Sequence, residues 1–217
     1  MKAIVLSRRD FREYDQVVSV YTKDLGKQDL LARGIKKITS KNSAYLEPFS
    51  FVDIEIIKGK ELDYIGSVQP VNYFKNIRQD LQKSLKAQLV VGLINRVVQV
   101  EEKDEKLFLL LKSWLEFLDS LPLPDGGSLR RAGVMVLPLP EGELEGVGEV
   151  KHELISKITD AFIAKFLYLL GFGAEDFSEI IEKNWDEITN LDFDKSLHKK
   201  IYQSLVNNLE FKVSDWA

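Results

Sequence analysis

The sequence contains no cysteine, and its 217 residues include only two histidines, His152 and His198. Without cysteine the chain cannot form disulfides, iron–sulfur clusters, cysteine-ligated zinc sites or thiol nucleophiles. Two histidines so far apart do not give the ligand spacing of a metal site, and surface or capping roles explain them better. Glycine-rich nucleotide-binding motifs and a Gly-x-Ser-x-Gly elbow are also absent from the sequence. We therefore expect a non-enzymatic protein without a metal or other cofactor.

Long apolar runs are missing as well. No run approaches the roughly 20 residues needed to cross a bilayer, and the apolar run at the basic N-terminus is four residues long. That is too short for the core of a signal peptide. We expect a soluble cytoplasmic protein with no membrane partner.

The net charge of −4 is unevenly distributed along the chain. Residues 1–80 contain 14 Lys and Arg against 11 Asp and Glu, a net charge of +3. Residues 81–217 contain 16 against 23, a net charge of −7. A basic first part beside an acidic remainder suggests that one half of the chain contacts a polyanion.

The first 75 residues are typical of short strands and the remainder of helices, which predicts an α+β protein. Five strands are predicted at residues 3–7, 16–22, 28–33, 51–57 and 62–68, with a hairpin turn at 58–61. Closing these strands into a small barrel would remove their exposed edges. Apolar residues at helical spacing then predict four helices, the first with a core-facing stripe at Ile77, Leu81, Leu85, Leu89 and Leu93. Asp104 is expected to cap the second helix, and Gly171 or Gly173 to end the third.

Residues 121–150 interrupt the helical pattern. They hold four of the six prolines and six of the thirteen glycines, a composition that cannot continue a helix. We predict an N-terminal barrel domain at residues 1–76 and a helical domain at residues 77–217. The 121–150 segment would be a mobile or functional excursion, with a short strand at 134–137.

Basic residues interleaved with aromatic ones make the N-terminal part a candidate nucleic-acid surface. Lys and Arg side chains bind phosphates by charge, and exposed tyrosines stack on unpaired bases. The candidate DNA-binding residues are Arg8, Arg9, Arg12, Lys23, Lys27, Arg33, Lys36, Lys37 and Lys41. The candidate stacking residues are Tyr14 and Tyr45, with Tyr21 and Phe49 also among the basic positions.

The order of these features resembles the bacterial RecO family of recombination mediators. The resembling segments are residues 6–18, 22–27, 32–37 and 46–50, an alternating strand followed by Lys58 and Gly59, and residues 165–172. The resemblance is continuous over about residues 1–120 and resumes at about 155–175. It implies an OB-fold barrel followed by a helical domain.

The resemblance also implies a function. It implies binding of single- and double-stranded DNA, annealing of strands, and loading of the RecA recombinase onto gaps covered by single-stranded-DNA-binding protein. The implied partners are RecR, the C-terminal tail of that binding protein and, indirectly, RecA, with the protein on the nucleoid when it is bound to DNA. Many members carry a four-cysteine zinc module after the helix that ends in Leu-Leu-Gly-aromatic. This chain has no cysteine there, and its 121–150 segment is longer than the usual connection.

Two other functions stay open from the sequence. In the first, the protein is an adaptor whose helical domain binds the tail of a partner, and DNA affinity is incidental. In the second, Asp53 and Glu55, on one face of a predicted strand, act as nuclease carboxylates, although the same alternation explains them as solvent-facing residues.

Overall fold

A closed five-stranded barrel forms the start of the chain. The computed structural model describes residues 1–38, 40, 42–122, 143–173, 177–193 and 195–209. The strands are β1 (Lys2–Asp10), β2 (Gln16–Thr22), β3 (Gly26–Ala32), β4 (Phe51–Ile57) and β5 (Tyr64–Asn72). Their order around the barrel is β1-β2-β3-β5-β4, and β3 pairs with β5 in parallel while the other pairs are antiparallel. This is the Greek-key OB barrel that was predicted.

Alternation along the strands builds the barrel core. Ala3 and Val5 of β1, Val18 and Val20 of β2, and Leu30 of β3 belong to one buried cluster. Intervening residues point to the outer face, because successive side chains of a strand alternate. The predicted hairpin between β4 and β5 is present, but its connection covers residues 58–63 rather than 58–61, because β5 begins at Tyr64 rather than at the predicted residue 62.

The described chain after the barrel consists of helices and the segments that join them. They are α1 (Lys75–Arg78), α2 (Leu81–Val97), α3 (Glu105–Ser120), α4 (Glu143–Leu169), α5 (Ser178–Ile181), α6 (Trp185–Thr189) and α7 (Lys195–Leu209). None of the helices in the described ranges is long and apolar enough to cross a membrane. The predicted strand at 134–137 lies outside the described residues, as do residues 123–142 as a whole. The prediction that places residues 143–150 in the non-helical excursion is wrong, because they form the first turns of α4.

Helix ends follow the predicted capping chemistry. Asp104 Oδ1 accepts hydrogen bonds from the backbone N–H groups of Lys106 (2.7 Å) and Leu107 (3.2 Å) at the start of α3. Beyond α4, Gly171 has a φ of +89°, and the Phe172 N–H donates to the Leu167 carbonyl at 2.9 Å. These are the features of a Schellman ending, for which glycine is the favoured residue.

The predicted apolar stripe of the first helix is confirmed at its ends, where Ile77 and Leu93 are buried, and is wrong at Leu81 and Leu85. Ile77 lies in the separate helix α1, and Asp80 caps a new helix by accepting the N–H groups of Gln82 and Lys83. Leu81 and Leu85 are exposed, at 72% and 55% of their reference surface. An α-helix has 3.6 residues per turn, so a four-residue spacing drifts around the helix instead of staying on one face. The buried apolar residues of α2 are Ala87, Val90, Val91, Leu93 and Ile94, and Val98 just beyond its end is buried as well.

The chain divides into two compact units. The first comprises residues 1–74 with 87–115, and the second comprises 75–86 with 116–217. In the second unit, the buried Phe162 and Phe166 of α4 stack on each other, with ring centroids 6.3 Å apart. Lys165 donates to the carbonyls of Ile181 (2.6 Å) and Lys183 (2.8 Å). The domain boundary proposed between residues 76 and 77 stays a prediction.

Candidate nucleic-acid interface

Three loops meet at one end of the barrel. Strand pairing joins Asp10 to Gln16, Gln16 to Ala32, and Ile57 to Tyr64, and Leu31 lies opposite Tyr64. The segments 11–15, 33–38 and 58–63 therefore share this end, and we call them the loop rim. In OB folds the loops that join β1 to β2 and β4 to β5 are part of the oligonucleotide-binding surface.

Hydrogen bonds connect two of these segments. The Lys36 N–H donates to the Tyr14 carbonyl at 3.1 Å, and Asp15 Oδ1 accepts from the Gly34 N–H at 2.7 Å. Gly34 has a φ of +62°, a backbone conformation that a Cβ atom disfavours. The backbone of residues 33–37 is thereby attached to the first loop.

Three of the predicted DNA-binding cations lie on aromatic rings of the loop rim or its edge. The distances from cation to ring centroid are 5.1 Å for Arg12 on Phe11, 4.4 Å for Arg33 on Tyr64 and 5.5 Å for Lys37 on Tyr14. All three cations are exposed, and no carboxylate of the described residues forms an ion pair with them. A ring positions a cation without cancelling its charge, so Arg12, Arg33 and Lys37 remain available to phosphates.

Three other predicted residues already have a carboxylate partner. These ion pairs are Arg9 with Asp29 (3.1 Å), Lys23 with Glu105 (3.1 Å) and Lys36 with Asp10 (2.9 Å). Hydrogen bonds from Gln16 and Lys36 lower the pKa of Asp10, so its negative charge persists beside Lys36 at neutral pH. The local field of these three cations is partly cancelled.

The side chains of Arg8 and Lys27 form hydrogen bonds within the protein that hold them away from a DNA-binding role. Arg8 is an ion-pair partner of Glu47 and also donates to Gln16 Oε1 at 2.8 Å. Lys27 is buried, and its ammonium donates to the carbonyls of Asn95 and, at 2.9 Å, Val98 near the end of α2. Burial lowers the pKa of Lys27. A phosphate cannot reach Lys27 in this position, so it is not kept in the interface.

The aromatic residues considered for base stacking also divide into exposed and buried ones. Tyr14 and Tyr45 are exposed, and a hydrogen bond with Glu13 raises the pKa of Tyr14. Tyr21 and Phe49 are buried, which excludes them as stacking platforms. Lys41 lies outside the described residues.

The outer face of β2 and β3 is covered within the first unit. All residues from 17 to 22 are buried. The Tyr21 hydroxyl donates to the Asp104 carbonyl at 3.2 Å and accepts from the Asp104 N–H at 3.1 Å; burial raises the pKa of Tyr21 to about 12. On β1, Ser7 Oγ accepts from the Asn95 side chain at 3.1 Å. The β2–β3 face of this barrel is therefore covered, and the candidate interface is restricted to its loops.

Comparison with known proteins points to one family. The family model for the N-terminal domain of recombination protein O matches residues 1–74. The chain is 34% identical to the DNA repair protein RecO of Desulforamulus reducens over 118 residues, which are 54% of this chain and 46% of that protein. It is 34% identical to RecO of Geobacter metallireducens over 124 residues (57% and 51%) and 35% identical to RecO of Dehalococcoides mccartyi over 124 residues (57% and 49%). The resemblance to RecO is confirmed for the N-terminal barrel. The chain spans about half the length of the curated relatives it matches.

The whole loop rim lies within the residues that match the RecO family model. Three residues of the rim or its edge were not predicted as site residues from the sequence: Phe11 and, at the start of β5, Tyr64, which support cations, and Ile38, which is fully exposed. Phe11 could have been found as the aromatic residue next to Arg12. Tyr64 is 31 positions from Arg33, and no local signal links the two.

The carboxylates considered for nuclease chemistry have other partners in the RecO-like barrel. Asp53 contacts the N-terminal ammonium (2.6 Å) and Lys2 (2.8 Å), and hydrogen bonds from both lower its pKa to about 2. Glu55 accepts from Ser67 at 3.1 Å. Among the described residues, no group of three or more His, Asp or Glu side chains has the arrangement of a metal site.

The histidines lie in the second unit. His152 is exposed, and His198 Nδ1 is 2.6 Å from Asp160 Oδ2. Asp160 is buried, and this burial raises its pKa. The exposed position of His152 agrees with the surface role expected from the sequence, whereas His198 contacts a buried carboxylate of another helix and does not cap a helix end.

Proposed function

We propose that the protein is a non-enzymatic DNA-binding mediator of recombinational repair, which binds and anneals single strands. Its similarity to proteins named DNA repair protein RecO supports the repair role. The observation that carries the DNA-binding part is the set of three cations on rings, Arg12, Arg33 and Lys37, without a carboxylate partner among the described residues.

The mechanism is electrostatic. The three cations neutralise phosphates and release counterions from the strand. Their aromatic supports restrict the side chains before DNA binds, which reduces the entropy lost on binding. Exposed Tyr14 offers a ring on which an unpaired base stacks, so a single strand gains a contact that a duplex cannot make.

Annealing follows from the same charges. Two complementary strands repel each other through their phosphates, and a basic surface reduces that repulsion while leaving base edges to pair. In this proposal RecR and the C-terminal tail of single-stranded-DNA-binding protein are the partners. They hold the protein at gaps and raise its local concentration there, which indirectly helps RecA to load. No metal, nucleotide or other cofactor takes part.

The test is fluorescence anisotropy of a labelled single strand at two salt concentrations, with EDTA and without nucleotide. We expect binding that weakens as salt rises, and faster annealing of complementary strands than without protein. Absence of binding at low salt would contradict the proposal. A requirement for a divalent metal, or cleavage of the strand, would contradict its non-enzymatic part.

A second candidate is the adaptor function, in which the helical unit binds a partner and DNA affinity is incidental. The exposed Leu81 and Leu85, one turn apart on α2, favour it. Replacing both with Ser would weaken binding of a tail peptide from single-stranded-DNA-binding protein under the adaptor proposal. Under the DNA-mediator proposal, the same variant keeps its affinity for a single strand.

A further inference from the structure

Ile38 is the most exposed of the large apolar residues in the described part of the chain, at 105% of its reference surface. Leaving an isoleucine wholly in water forgoes the free energy that burial would give it. It follows directly after Lys37 on the loop rim. An exposed apolar side chain among cations is a feature that the DNA-binding mechanism above does not use.

The backbone on both sides of Ile38 is held by hydrogen bonds. The Lys37 N–H donates to the Gly34 carbonyl at 3.1 Å, and the Ser40 N–H donates to the Lys37 carbonyl at 2.9 Å. Ile38 thus occupies the second position of a tight turn that begins at Lys37. The turn presents the apolar side chain at its tip.

We infer that Ile38 is a wedge that inserts between neighbouring bases of a single strand of DNA bound on the loop rim. The inference rests on the proposed function and adds to it the unstacking of bases. Apolar side chains inserted between base steps separate them in other DNA-binding proteins. Here the neighbouring cations would hold the phosphates while the isoleucine is buried between two bases.

Charge favours nucleic acid over an apolar protein surface as the partner of Ile38. Lys36 and Lys37 immediately precede it, and Lys37 has no carboxylate partner among the described residues. Burying Ile38 against an uncharged protein would take Lys37 out of water without compensation, which is costly. A polyanion with apolar bases would compensate the charge of Lys37 and bury the side chain of Ile38.

The experiment uses a single strand in which one adenine within an adenine run is replaced by 2-aminopurine, whose emission rises when it unstacks. Saturating wild-type protein should raise this emission. Ile38→Ser should abolish the rise at saturation while weakening binding, measured by anisotropy, by no more than about tenfold. Ile38→Leu, which keeps an apolar side chain, should retain the rise.

Val100→Ser is the matched control. Val100 is also β-branched, is 51% exposed and pairs with Lys27 at the opposite end of the barrel, so its replacement should change neither signal. Because Ile38 makes no buried contact, its replacement should leave the fold intact, as a thermal melt can verify. If the wild type fails to bind, the proposed function is wrong. If it binds without a rise in emission, or if Ile38→Ser gives the same rise, only the wedge is wrong, and another partner for Ile38 is indicated.

Discussion

The first prediction is that DNA binding loses salt dependence when the three cations that lie on rings at the loop rim are removed. We replace Arg12, Arg33 and Lys37 with Gln and call this variant the rim triple. All three side chains are exposed, so the fold should tolerate the change with little loss of stability. Lys36 is left in place because Asp10 already pairs with it.

Counterion release sets the magnitude. For single strands the slope of log K against log salt concentration is about −0.7 for each phosphate neutralised. If each cation contacts one phosphate, the rim triple should lose about 2 from the steepness of that slope. If counterion release supplies all of the binding free energy of each contact, the affinity of the rim triple near 0.1 M salt should be about 100-fold below that of the wild type.

The assay is an anisotropy titration at several salt concentrations. A control variant with the same change in net charge separates local phosphate contact from a general effect of charge. Lys2, Lys23 and Lys103 lie toward the other end of the barrel, and the first two are paired with Asp53 and Glu105. Replacing these three lysines with Gln also changes the charge by −3. We expect a slope close to that of the wild type. An equal loss in both triples, or an unchanged slope in the rim triple, would refute local phosphate contact at the loop rim.

Three further predictions concern the first unit, each read by denaturant unfolding. Lys27→Met keeps the buried stem but leaves two carbonyls near the end of α2 without their donor, and should cost about 2 kcal/mol or more. Gly26→Ala should be at least as destabilising, because Gly26 has a φ of +68° and a Cβ would lie 2.1 Å from the Glu102 carbonyl oxygen. The pKa of Asp53 is lowered to about 2 from 3.8, so its contribution is complete above about pH 4 and disappears as pH falls through 2. Asp53→Asn should therefore be less stable than the wild type above pH 4 and should converge with it near pH 2; parallel curves would contradict the ion pair.

The barrel could be predicted because its strands carry local signals. Val52 and Ile54 alternate with Asp53 and Glu55, and one face of β4 is buried as that pattern requires. The first helical stripe failed at Leu81 and Leu85 for an equally local reason. The prediction ran one helix through Ile77 and Leu81 and did not consider Asp80, which lies between them. Asp80 caps the start of a new helix, and this helix buries a different face.

The candidate site could be predicted only as a pool of basic residues. Which of them retain an uncompensated charge depends on partners distant in sequence, such as Glu47 for Arg8 and Val98 for Lys27. Composition cannot show that Lys27 is buried, because its carbonyl partners lie about 70 positions away. Tertiary contacts decide this question: of the eight candidates that the structure describes, Arg12, Arg33 and Lys37 differ physically from the rest.

The covered β2–β3 face also bears on how the protein would work. A single strand confined to the loop rim meets four exposed cations without a carboxylate partner among the described residues, namely Lys60 and the three cations that lie on rings. That is fewer than the six to ten phosphate contacts of strongly salt-dependent DNA-binding proteins. By itself such a surface binds weakly at physiological salt and releases quickly. Fast release suits annealing, since a strand must leave the protein once it has paired. Weak binding in turn requires a second attachment at the gap, because tethering raises local concentration without any new DNA contact. The small number of cations therefore supports a mediator held in place by partners rather than a protein that coats DNA.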